Sequence, residues 1–308
     1  MASYEIVHTN NLTTAVKTLS ILLTLITLSM LTLNAESTFE TQFAQQVSAF
    51  LNTLDDEQSE ECLHKLDDPL RWKMQYTGGK RAGIAIGKLN REQRKAFEKT
   101  IRLVLSAEGW DMAKQVIQQD GNMAIKNYYV ACFGDPRHGE DFAFRLAEHH
   151  LTIIHLSVRD GKADEFGPIL LGANPPTLWK KDEKALLKLW KDAQDPSLLI
   201  QGKKAIASEA MPKGDGTPYA ELNSAAQQQL QTIWNLRLRI FTPQIQSILN
   251  QHLQYNGGIK AANIAFYNKT PLKRCEDGGK WDFNCQIGKL HFDYEGSRGH
   301  IHFSLWLR

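Results

Sequence analysis

Apolar residues recur at helical spacing at Phe43, Val47, Phe50, Leu51 and Leu54, which predicts an amphipathic helix over about 38–55, ended by the acidic stretch Asp55–Glu61. A short apolar run at Ala82–Leu89 reads as a strand. Asn90 with Gln93 forms a capping-box pattern ahead of the stripe Phe97, Ile101, Val104 and Leu105, and Gly109 is placed to stop that helix. Tyr128, Tyr129, Val130 and Phe133 favour a strand within 123–133. From Phe142 to Val158 the chain alternates with no clean helical face, so two strands or one long bent strand are expected, with a hairpin turn at Asp160-Gly161.

The second half repeats the contrast between the two periods. Leu186, Leu187 and Trp190 mark a short helix at 182–194, and the Gly- and Pro-punctuated stretch at about 200–219 reads as an exposed connection. Leu222, Ala226, Leu230, Ile233 and Trp234 lie on one side of a long helix over about 220–254, which Pro243 should kink or split. Strand patterns then fill Asn263–Tyr267, Trp281–Tyr294 and Gly299–Leu307, with a turn at Glu295–Arg298. Strands in runs, a long helix, then more strands imply an α+β fold. We expect a mostly antiparallel sheet, built from the middle and C-terminal strands and flanked by helices.

Leu19–Leu33 is an apolar run broken only by Ser and Thr, preceded by Lys17 and closed by Asn34-Ala35. This is the pattern of a secretory signal over residues 1–35, leaving 36–308 as a single domain. An uncleaved anchor is the competing reading, because the run with its flanks approaches a short membrane span. Either reading implies a periplasmic or secreted protein whose membrane contact is confined to an uncleaved N-terminal segment. In an exported chain the four cysteines suggest disulfides, with Cys275–Cys285 paired by proximity and Cys62–Cys132 by elimination.

Net charge is +2, from 36 basic and 34 acidic residues, which argues against a nucleic-acid partner. The sequence contains no G-x-S-x-G, Walker, G-x-G-x-x-G or H-E-x-x-H motif, so the common hydrolase, nucleotide and zinc-protease signatures are missing.

The candidate chemistry lies in two histidine pairs, His149-His150 and His300-Ile301-His302. In a strand, His300 and His302 point to one face and can grip one metal ion. His149 and His150 point to opposite faces of a regular strand, so one of them completes the site unless a bulge intervenes. We take His150, His300 and His302 as the metal ligands and His149 as a general base or alternative ligand, with His155 as a second choice on its strand. Nitrogen ligands suit a divalent transition metal such as zinc, copper or iron, and three of them leave an open position of the catalytic kind. Asp293 or Glu295 could add a carboxylate, and Glu148 could orient a ring. Arg145 could hold a carboxylate or phosphate of a small-molecule ligand, or pair with a structural acid. The bland alternatives are metal-free histidines lining a half-exposed sheet, and a non-enzymatic periplasmic protein that binds a ligand or metal.

Several segments occur in a familiar order. They are Asp68–Trp72, Arg81-Ala82-Gly83, Leu105–Gly109, Tyr128-Tyr129, Phe133–Pro136, His149-His150, Phe166-Gly167-Pro168, Leu171–Pro175 and His300-Ile301-His302. Together they resemble the bacterial "domain of unknown function 3500" family over most of residues 60–308. Glu148 stands where the family pattern has Gly. The resemblance implies domain limits and a pocket, and says nothing about substrate.

Overall fold

The computed structural model describes residues 38–73, 81–119, 127–148, 150–201, 211–212, 215–268, 272–297 and 299–307. The expected signal or anchor lies outside them. Backbone contacts divide the chain into Met1–Phe39 and Glu40–Arg308, and every site residue discussed below belongs to the second unit.

The first amphipathic stripe forms α1 (Phe39–Leu51), which buries Phe43, Val47, Phe50 and Leu51. The acidic stretch does more than end it. Asp55 and Gln58 make a capping box that starts a second helix, α2 (Asp56–Cys62). Asn90 and Gln93 cap α3 (Arg91–Val104) in the same reciprocal way. Gly109, expected as a stop signal, instead lies in the first turn of α4 (Ala107–Gln119). A Cβ there would fall 1.9 Å from the Ile240 carbonyl oxygen, so this glycine serves close backbone approach. Among the described residues the remaining helices are α5 (Lys180–Ala193), α6 (Ser224–Leu238) and α7 (Pro243–Tyr255). The long helix expected over 220–254 is thus split, with Pro243 at the start of α7, where a missing N–H costs nothing.

Among the described residues, twelve strands form one sheet. They are β1 (Leu63–His64), β2 (Ile84–Ala85), β3 (Tyr129–Phe133), β4 (Phe142–Glu148), β5 (Leu151–Arg159), β6 (Lys162–Ala173), β7 (Leu199–Gln201), β8 (Thr217–Pro218), β9 (Asn263–Asn268), β10 (Trp281–Ile287), β11 (Leu290–Ser297) and β12 (His300–Leu307). Their order is β1-β3-β4-β5-β6-β12-β11-β10-β9-β7, with β2 added to β3 and β8 to β9. The sheet is mixed, which corrects the expected mostly antiparallel arrangement: β1 runs parallel to β3, and β7 parallel to β9. Both parallel strands are only two or three residues long and come from connecting segments with weak strand patterns, so composition did not announce them. The β5–β6 hairpin turns at Asp160 and Gly161, where φ is 47° and 69°, the positive values that a two-residue hairpin turn demands.

The helices pack on one face of this sheet. Phe43 of α1 stacks on Phe142 of β4 at 5.7 Å between ring centroids. Trp190 of α5 meets Phe266 of β9 at 5.5 Å, and Trp234 of α6 meets Phe292 of β11 at 5.8 Å. Burying these large aromatics is the main stabilising term, about 1.5–3 kcal/mol for each fully buried ring of Phe type. Strand alternation sends the intervening residues to the opposite face, which is polar in its central part.

Both expected disulfides are absent, and all four cysteines are buried free thiols. Cys62 lies one residue from the Leu63–Cys132 register pair, yet its thiol donates to the Val130 carbonyl at 3.6 Å and that of Cys132 to the Gly134 carbonyl at 3.3 Å. Cys285 faces the aromatic core on β10, whereas Cys275 lies in a 3-10 turn, Cys275–Asp277, against the start of β12. Nearness in sequence therefore did not bring those two sulfurs together.

Candidate metal centre

On β12, Ile301, Phe303, Leu305 and Leu307 point to the apolar side, and Phe303 packs on Trp179 and Tyr294 there. His300, His302, Ser304 and Trp306 therefore share the other face. The strand lies at the centre of the sheet, between β6 and β11, so this face is held on both sides by ladder hydrogen bonds.

His150 sits in the tight turn between β4 and β5 and joins His300 and His302 from across β6. One potential ligand nitrogen from each of the three rings lies within 4.8 Å of the others. Ring centroids are 4.7 Å apart for His300–His302 and 5.9 Å for His150 against each of them. Zinc–nitrogen bonds of about 2.0–2.1 Å hold ligand nitrogens within about 4 Å of one another. Small ring rotations would close the trio on one ion. His150 and His302 are buried and His300 is half-buried, so the cluster has a sheltered side and a solvent side.

Gly172 makes the convergence sterically possible. It lies opposite His302 in the β6–β12 ladder, and its N–H donates to the His150 carbonyl at 2.7 Å. A Cβ at this position would fall 2.8 Å from His302 Cδ2 and 3.0 Å from His150 Cδ2. The Gly172 carbonyl accepts a hydrogen bond from Trp179 Nε1 at 3.1 Å, tying this backbone to the buried indole.

Two acids support the histidines. Glu295, opposite His302 on β11, has Oε2 3.3 Å from His302 Nδ1. A carboxylate on one imidazole nitrogen with a metal on the other is the usual way a ligand ring is oriented. Glu183 of α5 is fully buried. Its Oε1 accepts from the Cys275 N–H at 2.7 Å and from the Tyr294 hydroxyl at 2.8 Å. It thereby fixes the turn whose Cys275 thiol donates to the His300 carbonyl at 3.5 Å. Burial and the neighbouring Glu183 carboxylate push the Tyr294 phenol well above its ordinary value.

Arg145, the candidate anion holder, is committed to backbone. Its guanidinium donates to the Leu70 and Lys73 carbonyls, each at 2.6 Å, and so pins the 3-10 turn Pro69–Trp72 onto the sheet. Burial, with Arg81 nearby, lowers its pKa to about 10, leaving it charged near neutrality. Arg71, missed in the sequence, does the ion pairing instead. It donates to Ser157 Oγ at 2.7 Å, bonds to the Glu165 carboxylate and lies over the Trp72 ring. His149 and the side chains of His155 and Glu148 lie outside the described residues. The importance of Gly172 was hidden because the Gly- and Pro-rich run Gly172–Pro176 reads as a loop, whereas Gly172 lies within β6.

The sequence model of one family, described as "Protein of unknown function (DUF3500)", matches residues 36–205. That span contains Arg145, His149, His150 and Gly172, while His300 and His302 lie beyond it. No curated protein and no solved structure matches the chain significantly.

Proposed function

This chain belongs to the DUF3500 family, whose description assigns no activity, and from that premise we propose that it is an exported metal-dependent enzyme with His150, His300 and His302 as ligands. The observation that carries this reading is the convergence of three imidazole nitrogens within 4.8 Å, from segments 150 residues apart. Imidazole suits zinc, copper or iron. Three protein ligands with a fourth position open distinguish a catalytic centre from a closed structural one, and the half-buried edge at His300 gives a small molecule a way in. An ion there would polarise a bound oxygen or acidify a bound water. The protein's own part is to hold the rings through Gly172, Glu295 and the Glu183–Cys275 contact. Export rests on the apolar run at Leu19–Leu33.

Metal analysis of the purified chain after loading with zinc, copper or iron tests the proposal. About one equivalent is expected, lost in the His300→Ala, His302→Ala double variant. Metal content far below one equivalent under all three loadings overturns it. Turnover on a panel of hydrolytic and redox substrates then separates an enzyme from a metal carrier.

A further inference from the structure

The face that carries the histidines continues into a row of buried polar side chains that metal binding leaves unused. Asn284 of β10 lies opposite Asp293 of β11, which lies opposite Ser304 of β12. All three point away from the helices, because Phe283, Phe292 and Phe303 beside them pack on the helical side. Their relative exposures are 1%, 2% and 5%, so these polar heads are buried in earnest. Directly opposed Cβ atoms lie about 4.5–5.5 Å apart, close enough for three heads to meet one small group.

The row is rich in acceptors. Ser304 Oγ already donates to Asp293 Oδ2 at 2.9 Å. Asn284 Oδ1 is buried and accepts no hydrogen bond. Buried polar atoms in native proteins are nearly always paired, so an orphaned acceptor beside a carboxylate points to a donor that arrives from outside. The next row on this face adds negative charge: Asp282 stands directly opposite Glu295, and Glu295 opposite His302.

We propose that Asn284, Asp293 and Ser304 form a subsite for a protonated amine, on a small molecule whose other end presents an oxygen to the histidine centre. An ammonium offers three donors and no acceptor, which matches an amide oxygen, a carboxylate and a hydroxyl oxygen. An anionic head would be repelled by Asp293. The subsite lies two residues along β12 from His302, a strand rise of about 6.6 Å, so the ligand is a short chain with separated charges. This inference rests on the metal reading.

Calorimetry on the zinc-loaded full chain tests it with two probes, δ-aminovalerate and valerate, which differ at the far end by the ammonium alone. The amino acid is expected to bind about tenfold more tightly or better. Asp293→Asn should erase that difference while zinc stays bound. Ser304→Ala, which removes one hydroxyl, should shrink it and serves if the Asp293 variant fails to fold. Equal affinity for the two probes, or binding of neither to zinc-loaded protein, overturns the subsite and leaves the metal centre standing. A chain that takes up no zinc removes the metal reading first.

Discussion

Gly172 and His302 face each other across the β6–β12 ladder, and the space a Gly172 Cβ would need is taken by the His302 and His150 rings, at 2.8 and 3.0 Å. Gly172→Ala should therefore push both imidazoles off the common point. Overpacking of this kind costs about 1–3 kcal/mol, so the variant should fold with a lowered urea midpoint. Its metal affinity should fall about 10–100-fold, the range seen when ligand orientation is lost. Zinc titration against a chromophoric chelator reads this, and wild-type affinity in a folded Gly172→Ala protein would contradict the steric argument.

Glu295→Gln keeps the side-chain length and removes the charge that faces His302 Nδ1 at 3.3 Å. The expected outcome is a drop in metal affinity of about tenfold with little change in thermal midpoint. Glu295→Asp, which shortens the reach, should fall between the two.

Arg145 should behave as a structural residue. Arg145→Met deletes charge-assisted bonds to the Leu70 and Lys73 carbonyls. Each such bond is worth about 1.5–3 kcal/mol, so a loss of about 3–6 kcal/mol in urea unfolding is expected, with metal stoichiometry unchanged. Full stability with loss of turnover would return Arg145 to the ligand-holding role first considered for it.

The thiols give a pH signature. Burial pushes the Cys62 thiol from 9.0 up to about 12, and those of Cys132 and Cys285 also well above the ordinary value. Above pH 9 the unfolded chain loses protons that the native chain keeps, so stability falls as pH rises towards 12. Below pH 9 the contribution of Cys62 is fully present. Its share of the alkaline slope is about 1.4 kcal/mol per pH unit, and Cys62→Ala should remove it from urea curves taken across that range. Thiol titration of the unreduced, denatured protein should find all four cysteines free.

The periodicity of the chain revealed its elements better than their partners. Strict alternation marked β12, the Asn90–Gln93 box marked the start of α3, and Pro243 marked the break before α7, because each is a local rule acting over a few residues. The parallel pairings of β1 and β7 escaped because two- and three-residue strands have no period to read. Gly109 was misread because its partner, Ile240, lies far along the chain. At the site, the residue types and the shared face of His300 and His302 were legible. The Gly172 gap, the Glu295 support and the commitment of Arg145 to carbonyls were not, since each depends on strand register across the sheet.

β12 sits between β6 and β11, so a segment late in the chain joins two sub-sheets built from earlier ones. Until it docks, β6 and β11 each present an open edge, which invites pairing with other molecules. Its long-range ladders also form slowly, because distant segments must first be brought together. The histidine trio cannot exist before that insertion, so uptake of metal during refolding would time the closure of the whole sheet.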